Sequence, residues 1–167
     1  MNVNIRLAVP GDAAEMAEVL MRSWEVAYKG IIPDEYIREK NAGRPEQYKW
    51  AVTAKNTDSY IIRRDGKTVG IMRIAPPQDD DTGDDFYELH YIYLHPDYYR
   101  QGIGTKAMAF AFDIARNLGK KYMVVWVFAD NVNSVKFYEK CGFQADGKTA
   151  MRDFGKMLTS IRMKRIL

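Results

Sequence analysis

The passage from Phe86 to Ala129 constrains the fold more than any other stretch of this chain. Phe86–Leu94 (FYELHYIYL) is almost continuously apolar and aromatic, the pattern of a central strand buried on both faces. A short segment with two glycines follows, Tyr99-Arg100-Gln101-Gly102-Ile103-Gly104-Thr105. Gly102–Leu118 then places apolar residues at 103, 107, 110, 111, 114 and 118, an amphipathic helix closed by Gly119. Tyr122–Ala129 reads as a second buried strand. The whole is a βαβ unit at the centre of the chain.

The flanking segments fill in a mixed fold. Asn4–Val9 alternates as a short strand, and Pro10-Gly11-Asp12 stops it. Asp12 is a helix N-cap with Glu15 at the capping-box position. Ala13, Met16, Ala17, Leu20, Trp24, Ala27 and Tyr28 give the next helix one apolar face. Gly30 ends it. Asp34–Lys40 and Glu46–Lys55 read as two further short helices, separated by Gly43 and Pro45. Ser59–Arg64 and Thr68–Ala75 form a hairpin through Asp65-Gly66. Pro76–Asp85 is a polar loop with five aspartates. Asn131–Lys140 is a short helix, and Phe143–Thr149 and Ser160–Ile166 are weaker strands. The class is α/β of the mixed α+β kind, and with neither a repeat nor a linker in view, residues 1–167 are expected to form one domain.

Composition narrows the function classes. The chain has 167 residues, enough for one core, and its 47% apolar and 28% charged content excludes disordered and collagen-like classes. Lys+Arg exceed Asp+Glu by 25 to 22, too small an excess to argue for nucleic acid. One cysteine, Cys141, excludes an internal disulfide framework and a cysteine-built zinc site. No pair of histidine and acidic residues has metal-ligand spacing. No apolar run reaches membrane-span length, and Met1–Pro10 lacks a signal-peptide core. A cytoplasmic protein with no nucleic-acid or membrane partner is expected.

The glycine segment is the sharpest local signal. Two glycines allow a sharp turn and a close backbone approach, and the first N–H groups of the following helix have no intrahelical partner. Such a site favours phosphate, and Arg100 and Lys106 add positive charge. A P-loop needs a longer spacing. A dinucleotide fingerprint survives on spacing alone, with Ala107 at its third position, but Lys121 and Tyr122 stand where an acidic ribose ligand belongs. A plain strand-to-helix turn is a further alternative.

A second segment, Asn131-Val132-Asn133-Ser134-Val135-Lys136-Phe137-Tyr138-Glu139-Lys140-Cys141-Gly142-Phe143, follows the next strand directly. Together the two segments resemble the GCN5-related N-acetyltransferase (GNAT) superfamily. The acetyl-CoA loop of that family, [QR]-x-x-G-x-[GA], is matched at Gly102 and Gly104, with Tyr99 in place of the usual Gln or Arg. Leu94-His95-Pro96-Asp97 looks like the family's passage from strand to loop. Asn131, Ser134, Phe137, Tyr138, Glu139, Lys140, Gly142 and Phe143 match its later pattern. Ser23–Ile37 (SWEVAYKGIIPDEYI) resembles the first-helix region of many bacterial members. The resemblance implies a central, mostly antiparallel mixed sheet of about six or seven strands flanked by about four or five helices. It also implies acetyl-CoA as cofactor, a small-molecule or peptide amine as partner, and, by analogy, a homodimer.

Acetyl transfer needs a base for the amine, a donor for the developing oxyanion and an acid for the leaving thiolate. The resemblance puts the acid at Tyr138, whose phenol stays protonated at neutral pH. Packing with Phe137 and Phe143 would also explain that residue. Glu88 is the acidic residue inside the strand Phe86–Leu94, and a carboxylate among aromatics has a raised pKa. One branch of the family carries its base at this position, 11 residues before Tyr99. In a regular strand Glu88, His90 and Ile92 share one face, and a bulge would break that parity. His90 is a second candidate base or a contact for the substrate. By resemblance the Ile92 N–H is the oxyanion donor, and Ile92 and Leu94 run beside the pantetheine arm like an added strand. Arg100, Gln101, Gly102, Ile103, Gly104 and Thr105 hold the pyrophosphate with Tyr99 adjoining. Asn131 and Ser134 contact the arm from the other side, while Asn131 also caps its helix. Cys141 reads as a small buried hydrophobe.

The acceptor is less legible. Trp24 and Tyr28, with Tyr36, lie in the region that walls the acceptor in this family, although helical spacing also explains the first two as core. Asp79, Asp80, Asp81, Asp84 and Asp85 form either a field for a cationic acceptor or a solvated loop. Arg152, Lys156, Arg162, Lys164 and Arg165 fit either CoA phosphates or an exposed strand face. Two other functions stay open: a non-catalytic acyl-CoA-binding module on the same fold, and a nucleotide-binding protein using the glycine loop alone.

Overall fold

The computed structural model describes residues 2–53 and 55–167. The elements are β1 Val3–Leu7, α1 Ala13–Ala27, α2 Asp34–Ala51, β2 Ser59–Arg64, β3 Lys67–Ala75, β4 Phe86–Leu94, α3 Ile103–Asn117, β5 Tyr122–Phe128, α4 Val132–Lys140, β6 Gln144–Asp153 and β7 Met157–Ile166. Seven strands form one sheet in the order β1-β2-β3-β4-β5-β7-β6. All neighbours are antiparallel except β4 and β5, the parallel pair of the βαβ unit. The expected mixed α/β class and sheet type hold. Among the described residues no helix is long and apolar enough to cross a membrane.

Each face of the sheet carries its own core. Ile61, Ile71, Phe128 and Leu158 pack against α1 and α2, on the side of Met16, Leu20, Trp24 and Ile37. Ile62, Met72, Ile74, Leu89, Val125 and Met163 pack against Ile103, Ala107, Met108 and Phe112 of α3 and Tyr138 of α4. The β2–β3 hairpin turns through Asp65 and Gly66 at φ 49° and 83°, the left-handed pair that a two-residue turn requires.

Several local expectations are corrected. Residues 34–51 form one helix, not two. Ile37, Asn41, Arg44 and Tyr48 recur at helical spacing on its buried face, and packing on α1 carries the helix through Pro45. Asp12 makes no side-chain cap on α1. Its carboxylate accepts from the Val9 N–H at 2.8 Å and is gripped by Arg6 at 2.8 and 2.9 Å. Glu15 accepts from the Thr68 hydroxyl instead of closing a capping box. β6 and β7 are full ten-residue strands.

The largest departure is in β4. Its C-terminal half, from His90 to Leu94, is only half-buried. β4 pairs with β5 from Phe86 to Leu89 only, so the two strands part beyond that point. The register with β3 also slips: Ile74 faces Leu89 while Arg73 faces Tyr91, leaving His90 as an extra residue. Glu88, Tyr91 and Tyr93 therefore share the α1 face, and Leu89, Ile92 and Leu94 share the α3 face. The expected alignment of Glu88, His90 and Ile92 is overturned by this bulge.

Candidate active site

The parting of β4 and β5 opens a cleft of about 1260 Å³ through the middle of the sheet. One wall is α1, the other is α4, and the mouth is the loop before α3. Trp24, Tyr28, Glu88, His90, Ile92, Leu94, Tyr99, Arg100, Gly102, Gly104, Thr105, Asn131, Ser134 and Tyr138 all line it. Residues that sequence reasoning scattered over more than a hundred positions thus meet in one place.

Two of the expected loop side chains turn elsewhere. Gln101 donates to the Asp97 carbonyl at 2.9 Å and accepts from Arg64. Ile103 is fully buried beneath the sheet. The loop backbone is tightly specified: Arg100 and Gly102 sit at φ 58° and 76°. A left-handed arginine is costly and marks a loop whose shape matters. A Cβ at Gly104 would meet the Phe137 ring at 3.1 Å, so this glycine lets α3 close on α4, whereas a Cβ at Gly102 would meet open space. Tyr99 does not imitate the usual Gln or Arg. Its hydroxyl lies 3.3 Å from the Ser23 hydroxyl and ties the loop to α1.

Glu88 stands on the cleft floor, 8% exposed. Burial, with the nearby charge of Asp79, pushes its carboxyl up to about 7. His90 Nδ1 lies 3.6 Å from Glu88 Oε1. Burial and the charge of Arg73 lower the imidazole pKa, so the ring is neutral at pH 7. Across the cleft, Tyr138 is buried and its phenol is held above its usual range by burial and by Tyr93. Asn131 caps α4 by accepting from the Ser134 N–H at 3.2 Å. Cys141 lies outside this cleft, against a second groove between α4 and the β6–β7 edge.

The α1 side of the cleft is more aromatic than the sequence suggested. Trp24 meets Tyr28 at 5.1 Å, Tyr28 meets Phe128 at 5.6 Å, and Phe128 meets Phe154 at 4.9 Å. The Tyr28 and Tyr93 hydroxyls are 3.1 Å apart. Trp24 is both core and wall, with Arg44 stacked 3.8 Å from its ring. Tyr91, Tyr93, Trp126, Phe128 and Phe154 were missed as lining residues, and Arg152, read as a phosphate contact or part of an exposed strand face, lines the same cleft. Period-two spacing in β4 and β5 was the available signal, but it reads equally well as core.

The aspartate loop is not an open negative field. Arg162, 5% exposed, binds Asp81 at 2.7 and 2.8 Å, Asp146 at 2.7 Å and Asp79 at 3.1 Å. Asp81 also pairs with Lys148 at 3.2 Å and Asp85 with Lys121 at 2.9 Å. Arg162 is thus a buried structural clamp, which corrects its reading as exposed or phosphate-binding, and of the five loop aspartates only Asp80 and Asp84 are without an ion pair among the described residues.

Residues 15–143 match the Acetyltransferase (GNAT) family. The chain is 30% identical over 139 residues to the uncharacterized N-acetyltransferase YuaI of Bacillus subtilis, covering 82% of this chain and 78% of that one. It is 26% identical over 123 residues to the uncharacterized N-acetyltransferase MJ1207 of Methanocaldococcus jannaschii, covering 71% of this chain but only 52% of that protein. It is 26% identical over 152 residues to a spermidine N(1)-acetyltransferase of Thermoplasma acidophilum, covering 87% and 91% of the two chains. Among solved structures, the PaiA N-acetyltransferase of Thermoplasma acidophilum in complex with coenzyme A superimposes with a TM-score of 0.77 over 100% of both chains, at 22% identity.

Proposed function

The chain belongs to the acetyltransferase (GNAT) family, and on that premise we propose that it transfers an acetyl group from acetyl-CoA to a primary amine of a small molecule or peptide, by direct attack in a ternary complex. The observation that carries this reading is the cleft. It faces a carboxyl with a pKa near 7 on β4 with a buried phenol on α4, beside a loop of left-handed residues at a helix N-terminus.

The residues fit acetyl-CoA. β4 runs without a β5 partner beyond Leu89, so an extended arm has a strand edge to lie along. The α3 N-terminus and the backbone of Arg100–Thr105 suit the pyrophosphate, with Gln101 and Ile103 taking part through main-chain N–H groups only. Tyr99 shapes this loop by its link to Ser23. Leu94, Asn131 and Ser134 border the arm. When bound, acetyl-CoA supplies the activated acyl group.

Glu88 takes a proton from the acceptor's ammonium, directly or through one water, which frees the amine lone pair to attack the thioester carbonyl, and its pKa near 7 suits that task. Neutral His90 beside it orients the carboxylate and the acceptor. The Ile92 N–H donates to the acyl oxygen as charge develops there. Tyr138 Oη gives its proton to the departing thiolate. Trp24 and Tyr28 wall the acceptor side. Residues 1–167 act as one catalytic domain in the cytoplasm, as a homodimer by analogy with the superfamily, and neither nucleic acid nor a membrane is a partner.

The test follows free-thiol release from acetyl-CoA over a panel of amines. Glu88→Gln lowers kcat/KM by about 100-fold or more, and Tyr138→Phe lowers kcat by a similar factor. Both variants still gain thermal stability from acetyl-CoA. Undiminished turnover in both, or no thermal shift with acetyl-CoA or CoA, would sink the assignment.

A further inference from the structure

The charges on the acceptor side of the cleft are unevenly settled. Asp79 accepts from Trp126 Nε1 at 3.0 Å and from Arg162 Nη1 at 3.1 Å. Its neighbour Asp81 is bound by Arg162 and Lys148. Glu88 titrates near neutrality and His90 is neutral. One permanent charge on this side has no ion-pair or hydrogen-bond partner among the described residues, although its field reaches Glu88 and draws that carboxyl's pKa down. It is Arg152, which lines the cleft with its guanidinium 5.4 Å from the Trp126 ring.

Register places this cation on the reacting side. Glu88 faces Val124 in β5, and Trp126 and Phe128 follow on the same face. Trp126 faces Arg162 and Phe128 faces Ser160 in β7. Ser160 faces Ala150 and Leu158 faces Arg152 in β6. Glu88, Trp126 and Arg152 therefore share one surface of the sheet, with Phe128 and Phe154 beside them in the cleft.

We propose that the acceptor is an amine that also carries a carboxylate and an apolar body, an apolar or aromatic α-amino acid in its simplest form, and that Arg152 binds the carboxylate. The inference rests on the acetyltransferase reading of the cleft and names its substrate class. An Arg guanidinium offers a fork of donors matched to a carboxylate, and here its face is already held by an indole. The aromatic wall from Trp24 to Phe154 offers a body-sized apolar surface, and the Tyr28 and Tyr93 hydroxyls within it are already bonded to each other. A polyamine fits less well. Its second ammonium would meet Arg152, and Asp79, the acid that lines the cleft besides Glu88, is bonded to Arg162. The spermidine-acetylating relative thus does not supply this chain's acceptor.

Matched acceptors test this. L-phenylalanine is compared with phenethylamine, L-methionine with 3-(methylthio)propylamine, and spermidine is run alongside, with thiol release from acetyl-CoA as readout. The carboxylate member of each pair is expected to show a kcat/KM about tenfold or more above its bare amine, the worth of one charge-assisted contact. Arg152→Met collapses that ratio through KM for the amino acid, Arg152→Lys restores part of it, and the thermal midpoint stays within about 2 °C because Arg152 is exposed. Preference for bare amines or spermidine, or an equal loss on both members of a pair in Arg152→Met, overturns the inference and leaves the acetyltransferase reading standing. Binding of acetyl-CoA with no thiol release for any acceptor overturns both.

Discussion

The indole N–H of Trp126 donates to Oδ2 of Asp79 at 3.0 Å. Trp126 comes from β5 and Asp79 from the loop ahead of β4, and their bond, with Arg162 behind it, fixes a negative charge near Glu88. That charge is one reason the Glu88 carboxyl sits near 7, second to burial itself. Asp79→Asn keeps the shape and removes the charge, so the Glu88 pKa falls. Because the deprotonated form is the base, the acid limb of the kcat/KM profile moves to lower pH. A pH–rate profile of the variant shows this, and an unmoved or rising limb would separate Asp79 from the base.

Glu88 also trades stability for chemistry. Its carboxyl rises from the ordinary 4.5 to about 7 on folding, so the native state holds a proton that the unfolded chain has lost. Between those two values stability falls as pH rises, and below 4.5 this loss is absent. The full effect above pH 7 is of order 3 kcal/mol. Glu88→Gln is therefore expected to be much less active but more stable than the parent at pH 8, with the advantage shrinking toward pH 5. Urea melts at the two pH values measure it, and an advantage independent of pH would contradict the linkage.

Arg162 is held by three carboxylates with its side chain 6% exposed. Arg162→Met leaves Asp79, Asp81 and Asp146 clustered without their shared cation, which costs about 3–5 kcal/mol. Adding Asp146→Asn to that variant recovers part of the loss, because Asp146 is itself nearly buried. Chemical denaturation of the single and double variants gives the comparison, and strict additivity would mean that the groups do not interact.

Gly70 carries β3 past Leu94, the last residue of β4 and part of the cleft lining. A Cβ there would stand 2.5 Å from Leu94 Cδ2 and 3.0 Å from both Ile62 Cδ1 and the Tyr93 carbonyl oxygen. Gly70→Ala is expected to lose about 1–3 kcal/mol and to weaken acetyl-CoA binding, since Leu94 must shift. Thermal melts with and without acetyl-CoA separate the two effects.

Much of this fold was legible because its signals are local. The apolar helical stripes, the Asp65-Gly66 turn and the strand-loop-helix passage around Gly102 each need only neighbouring residues. The segments from Asn131 to Phe143 and from Tyr99 to Thr105 were legible as a pair. The single helix across Pro45 was not, because packing of Ile37, Arg44 and Tyr48 on α1 overrides a breaker that looks decisive in isolation.

By itself, the sequence determined the βαβ centre, the anion-suited loop and the candidate pair Glu88 and Tyr138. Tertiary structure alone decided how they meet. The bulge at His90 turns Tyr91 and Tyr93 to the face of Glu88, and the early end of β4–β5 pairing converts a strand that reads as buried into the wall of a cleft. The same assembly gathers Asp79, Asp81 and Asp146 onto Arg162 and leaves Arg152, on the Glu88 side of the cleft, without an ion-pair partner among the described residues. Register and ion pairing are relations between distant segments, set by which surfaces pack together, and no local pattern encodes them.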